Sequence, residues 1–455
     1  MNPPVLDRIG LSRWAAALMA SSLLACNLVT GADHIALGGG GGGGTSSGTH
    51  AGNSGGTSTT TSPGGAGASG LGGGTATGAG GQGAASGCSS GVPCSSSIPS
   101  GGACTTALDN RAEVTMVSVG APVQGDVWLA PEPGGCAKAA WISGTEVHLT
   151  PLTGDGQRFG PDGSMPGTEI RGLVAHDDGA ALLIRRDDRM DLVGVCGNGA
   201  NRFEIPIVGG NNHDQSGDKW IDSWPHEGRL AWSGAQYAAY FGHTQNWGAQ
   251  GNHQGDILAY YDGDGAPDGL GWGWGCSHSL DVRIAHSGAT FGPVCVSDCY
   301  PDKGIYFDHN TLVSSEPSGN CLGSSDARLG GLVAVSGGFM LTYSSSEGRS
   351  SFDIALVHIS STGTVGSPVW LTDTAGTDER TSYLARYGSN LLVGWLSEGN
   401  LTLSVVNDTG TVVEGPALAS VGFGGADFIN LANGDVAWAF GQGSEVAMVR
   451  LPHCQ

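Results

Sequence analysis

A chain of 455 residues with a formal charge of −22 and only three lysines lacks the basic footprint that nucleic acid or an anionic membrane surface would require. Charged residues make up 13% and glycines number 82, which points to a loop-rich β protein plus a low-complexity region and away from a helical enzyme. No stretch carries sustained 3.6-residue periodicity with helix caps.

The first element is a processing signal. Arg8 and Arg13 precede an uncharged run from Trp14 to Ala25 that is too short to span a bilayer, so residues 1–25 read as a removable secretory signal. The run ends in Leu23-Leu24-Ala25-Cys26, which resembles the lipobox of bacterial lipoproteins. The resemblance implies that Cys26 is lipid-modified and that the bilayer is a partner. Asn27 after the cysteine, rather than Asp, implies an exported, lipid-anchored protein of the outer membrane, on its periplasmic or surface side.

Residues 26–103 form the second region, and from 38 to 102 it is nearly all Gly, Ser, Thr and Ala. Such a segment cannot bury enough apolar surface to offset its ordering entropy, so a disordered tether with a reach of about 40 to 50 Å is expected. With Cys26 lipidated, ten of the 11 cysteines remain, an even number that favours disulfides in an exported chain. Cys88, Cys94 and Cys104 are placed to tie the tether to the folded domain. Cys276, Cys295, Cys299 and Cys321 fall within one repeat and are expected to pair among themselves. A zinc site is the competing reading of these four, but it lacks a matching second ligand pair.

The third region, 104–455, holds seven pairs of short apolar runs whose first members start at residues 137, 180, 236, 288, 339, 390 and 435. Two tandem β-sandwiches would show a central break in composition, and none appears. A period near 50 residues with several strands per unit predicts an all-β, seven-bladed β-propeller. The pairs are expected to be strands B and C of each blade. Runs such as Ile354-Ala-Leu-Val-His-Ile are apolar almost throughout, as a strand covered on both faces should be.

Only the third and fourth units carry long polar insertions. These are His243 to Gly255 between strands B and C of blade 3, Gly271 to His278 between blades 3 and 4, and Cys295 to Asp302 in blade 4. The B to C and D to A connections of a propeller share one face, so all three should converge there as a binding site. If Gly271 to His278 is extended, Trp272, Trp274, Cys276 and His278 lie on one side. Trp272 and Trp274 could stack on a flat ligand such as a sugar, with Trp247 also at the binding site and Gln245, Asn246, Asn252 and Gln254 supplying hydrogen bonds. Alternatively, the tryptophans are inter-blade packing, with glycines permitting close approach.

His243, His253 and His278 are the candidate metal ligands, with Asp256, Asp298 and Asp302 as carboxylate partners and zinc or copper as the matching ion. His309 falls toward the far end of strand C and is left outside this group. Asp262-Gly-Asp264-Gly-Ala-Pro-Asp268 resembles calcium loops of some propeller and adhesion repeats, although a polar C to D hairpin explains it equally. No G-x-S-x-G elbow or H-E-x-x-H motif is present, so the sequence assigns no enzymatic activity. The expected function is that of an envelope lipoprotein whose propeller binds a glycan, peptide or protein at the face of blades 3 and 4. The alternative is a metal-dependent hydrolase or lyase using the three histidines.

Overall fold

The structure is a computed structural model that describes residues 88, 94, 104–210, 213–224, 227–278, 281–288, 290–299, 302–316, 326–424 and 427–454. The signal segment, Cys26, most of the expected tether and Cys321 lie outside these residues.

Seven antiparallel sheets follow one another: 124–166, 169–208, 219–272, 282–315, 328–370, 381–418 and 429–451, the last completed by Glu113–Ser118. This is a seven-bladed β-propeller. All seven apolar pairs occupy strands B and C, as in Gly179–Arg186 with Arg189–Cys196 of blade 2 and Asp353–Ser360 as strand C of blade 5. Strand D is the exposed outer edge, and Val412–Leu418 of blade 6 has no buried residue. The described residues contain only two short 3-10 turns, Leu108–Asn110 and Gly248–Gln250, and no α-helix.

Seven apolar clusters sit one at each junction between neighbouring blades. Period-two alternation creates them, because each strand B or C sends alternate side chains to the two adjoining blades. In blade 3, for example, Tyr237, Ala239 and Phe241 join the blade 2 cluster, whereas Ala238 and Tyr240 join that of blade 4. Truncating a fully buried member such as Leu183 or Leu392 to alanine would remove about 2 to 5 kcal/mol.

The first strand of each blade touches those of its neighbours, and Gln124–Glu132 meets Ile429–Asn430 to close the ring. Glu113–Ser118 supplies the outer strand of blade 7, with Val114 paired to Val449 and Met116 to Ala447. Cys104 is bonded to Cys454 beside this closure, and Arg111 joins the Tyr387 hydroxyl at 2.9 Å to Glu414 at 2.7 Å. Cys88–Cys196 and Cys94–Cys136 fasten the preceding segment to blades 2 and 1. Cys276 pairs with Cys295, and Cys299 is also disulfide-bonded.

Blade 3 departs from the sequence expectation. Its strands Gln236–Asn246 and Asn252–Asp262 run eleven residues each in unbroken register, from Gln236 opposite Asp262 to Asn246 opposite Asn252. Most of the expected loop is therefore hairpin, with only 247–251 as turn. Lys219–Trp220 adds a short strand against Gln245 and Thr244. Strand D ends at Trp272, so alternation does not continue to His278.

Candidate functional site

Two polar regions lie on the face where the B to C and D to A connections meet: the crest of blade 3 and the mouth of the central axis. At the crest, His243 is fully buried on strand B, and its Nε2–H donates to Gly273 O at 3.1 Å. Lys219 Nζ donates to the same carbonyl at 2.8 Å, and burial lowers its pKa. The Trp274 ring packs edge-on to His243 and Trp247, with centroids 5.8 and 5.2 Å away. It crosses Gly255, where a Cβ would stand 2.7 Å from the indole, so only glycine fits. Asn246 Nδ2 donates to His213 O, and Gln254 Nε2 to Asp222. His253 is opposite Gln245 and donates from Nε2 to Gln250 O. His278 lies at φ 45° with Nδ1 between Ser277 Oγ and Asp298 Oδ1, and its ring centroid is 6.5 Å from that of His253.

Trp272 goes to the opposite face. Its Nε1–H donates to Asp256 Oδ1 at 2.7 Å, and its ring packs edge-on to Tyr240 on the blade 4 side. The two tryptophans expected on one side are thus separated by the blade. The reason is local: the chain leaves the strand at Gly273, and Gly275 passes so close to Asp256 that a Cβ would lie 2.1 Å from Oδ1. His309, expected toward the far end of strand C, lies just past that strand, which ends at Phe307, and its ring is tilted against Trp272 with centroids 4.4 Å apart. Asp256 also accepts Cys276 N–H, and burial pushes its carboxyl up to about 7 against the lowering effect of these bonds.

Among the described residues, the one group of three metal-type ligands within 4.8 Å is Asp256, Cys276 and Cys295, whose sulfurs are joined as a disulfide. His243, His253 and His278 do not converge to that degree, with or without Asp298 or Asp302. The three aspartates of the acidic loop are separately engaged. Asp262 caps the N–H groups of Asp264 and Ala266, Asp264 pairs with Arg202 at 2.7 Å, and Asp268 accepts from Gln236. That is the bonding of a polar hairpin.

The axis carries the second region, which the insertions did not reveal. A cavity of about 320 Å³ is lined by the first strand of every blade, including Trp128, Leu173, Ile284, Leu332 and Phe428, with Arg229, Arg283 and Asp427 at one end. A second pocket of about 270 Å³ shares Trp128 and Arg229 with it and adds Asp126, Arg171 and Glu227. These charged residues sit at or just before the start of strand A, which places them on the same face as the crest.

At this collar, buried Arg229 donates from Nε to Asp427 Oδ2 at 2.9 Å and lies 4.9 Å from the Trp128 ring. Glu227 Oε2 bridges Arg229 at 3.1 Å and Arg283 at 3.0 Å. Arg283 reaches blade 5 through Gly330 O and Leu329 O, while Asp281 accepts Leu329 N–H. Burial alone would raise the Asp427 and Glu227 carboxyls, but the guanidiniums reverse it and hold both below the ordinary range. Asp126 behaves differently: desolvation and then the Glu227 charge raise it, and Arg229 and Arg171 do not compensate. A sequence signal did exist, because acid-x-Arg recurs as Glu169-Ile-Arg171, Glu227-Gly-Arg229, Asp281-Val-Arg283 and Asp326-Ala-Arg328, each opening a blade.

Comparison with known proteins extends the fold only. No family model matches the chain, and no curated protein matches it in sequence. Among solved structures, streptogramin B lyase is similar over 76% of this chain and 99% of its own, at 9% identity and a TM-score of 0.40. BBS1N, solved in complex with ARL6DN, aligns over 76% of this chain and 97% of its own at 8% identity and a TM-score of 0.44. A protein from Lactobacillus plantarum aligns over 67% and 87% at 11% identity and a TM-score of 0.41.

Proposed function

We propose that this chain is an exported propeller, held at the outer membrane by a lipid on Cys26 and the Gly/Ser/Thr-rich segment 26–103, that binds a small ligand at the axial mouth. One observation carries the reading: an axial cavity with a largely apolar wall opens beside a collar of charged side chains drawn from several blades. Its volume lies at the low end of ligand pockets, and an apolar wall with a few convergent polar groups is their usual chemistry. The crest residues His243, Gln245, Asn246, Trp247, His253, Trp274 and His278 share that face and would flank the mouth or contact a larger ligand such as a glycan or peptide. Trp272, turned toward blade 4, is a packing residue in this reading.

The test is thermal stabilisation of the purified chain by panels of amines, amino acids, sugars and short peptides, repeated on Ala175→Phe, which fills the cavity. Stabilisation lost in Ala175→Phe supports the axial site. Stabilisation that survives there but is lost in Trp274→Ala moves the site to the crest. For the anchor, Cys26→Ser should abolish incorporation of labelled palmitate in cells, and unchanged incorporation would overturn it.

A further inference from the structure

We infer that the axial site takes an organic cation, with an ammonium or amidinium head held at the collar by Asp126 and an apolar body in the cavity beneath. The inference rests on the axial reading above and supplies its ligand class.

The apolar body follows from the wall. Trp128, Val174, Trp232, Leu332 and Val333 line the cavity and are only half-buried, so they present apolar surface to its interior. The sign of the head follows from which collar groups retain bonding capacity. Arg283 directs Nε to Gly330 O, Nη2 to Leu329 O, and Nη1 to Glu227 and Val282 O. Arg229 directs Nε and Nη2 to Asp427, and Nη1 to Gly228 O and Glu227. Arg171 is paired with Glu169. The guanidiniums thus face protein acceptors, leaving little for an anionic ligand.

The carboxylates are the open side. Asp126 stands exposed on the rim with no hydrogen-bond or ion-pair partner among the described residues. Glu227 and Asp427 keep side-chain exposures of 36% and 30% after pairing. Asp126, Glu227, Asp281 and Asp427 face Arg171, Arg229, Arg283 and Arg328, so the charges balance in number and the sign of the head follows from the carboxylates that stay open rather than from an excess. An incoming cation would offset the Glu227 charge that, after desolvation by the surrounding collar, raises Asp126. A bare metal ion would gain nothing from the apolar wall, and no three carboxylate oxygens of the described collar converge within 4.8 Å. The net charge of −22 adds a long-range field that draws cations to the face.

The experiment is calorimetric titration of the purified full chain with three molecules of matched shape: phenethylammonium, phenethyl alcohol and hydrocinnamate. Phenethylammonium should bind about tenfold more tightly than the alcohol, with hydrocinnamate weakest. Asp126→Asn should bring the amine to the level of the alcohol without lowering the melting temperature, since the collar already disfavours the ionised carboxyl, and Asp126→Lys should favour hydrocinnamate. Equal or tighter binding of hydrocinnamate or the alcohol to the unmodified chain overturns the class, as does amine affinity unmoved by Asp126→Asn. Ala175→Phe, with Leu332→Phe as a second filling variant should the first unfold, separates the two levels. If the alcohol or hydrocinnamate binds best and filling abolishes it, the axial site stands and the cation class falls. If none of the three binds, the cation class falls and the axial site stands or falls on the wider ligand panel; if filling leaves binding intact, both fall.

Discussion

At the axis, Arg229 and Arg283 hold carboxylates and carbonyls belonging to other blades, whereas at the crest of blade 3, His243 and Lys219 converge on Gly273 of their own blade. The Arg229–Asp427 pair, between blades 3 and 7, comes together only through ring closure, and the Arg283 contacts need three consecutive blades. The crest groups come together through a single hairpin and the chain on either side of it. A polar cluster of the first kind reports on the whole fold and is sensitive to any one partner. One of the second kind can vary without disturbing the rest.

Substitution should expose this contrast most strongly at Arg229. Arg229→Ala removes the hydrogen-bonded counter-charge of Asp427 and one of the two guanidiniums that pair with Glu227, and should cost about 3 to 5 kcal/mol in denaturant unfolding. Lys219→Ala, at the crest, should cost about 1 kcal/mol. Equal losses would erase the distinction.

The next effect is a pH dependence at Asp256. Its folded pKa is raised to about 7, so its contribution is fully present below the unfolded value and is lost as pH rises toward 7. Unfolding free energy should therefore decline between about pH 4 and pH 7 by up to a few kcal/mol from this group. Denaturant titrations at several pH values would show the decline, and Asp256→Asn should flatten it.

Gly255→Ala should cost about 1 to 3 kcal/mol, because the new methyl meets the Trp274 ring. A change near zero would mean that Trp274 swings freely over the hairpin. The smallest effects belong to the separated polar residues. His253→Ala should stay within about 0.5 kcal/mol in the same assay, and a calcium chelator should leave the melting temperature unchanged, since Asp262, Asp264 and Asp268 already have partners.

The scaffold was legible in the sequence because strands B and C are covered on both faces. Runs such as Leu182 to Ile184 and Ile354 to Val357 are continuously apolar and recur at blade spacing. The crest was misread for the converse reason. Between His243 and Gly255, backbone pairing continues while the side chains turn polar, and a search for apolar runs hears only silence there. The separation of Trp272 from Trp274 depends on where strand D stops, and that is set by Asp256, a contact distant in sequence. The axial arginines were readable as acid-x-Arg at four blade openings, but these precede the apolar pairs and are hidden in a scan that begins at strand B, while Asp126 and Asp427 carry no such motif.

The outermost strand of blade 7, Glu113–Ser118, is synthesised more than three hundred residues before its partner, Glu445–Leu451. At about 10 residues per second, that partner is roughly half a minute away. The ring therefore cannot be latched by this pair until the final hairpin has been made. A chain cut short before its final hairpin would still form individual blades but would have no latch to close the chamber. Were a ligand to bind at the axis as proposed, its occupancy would report on the pairing of Glu113–Ser118 with Glu445–Leu451.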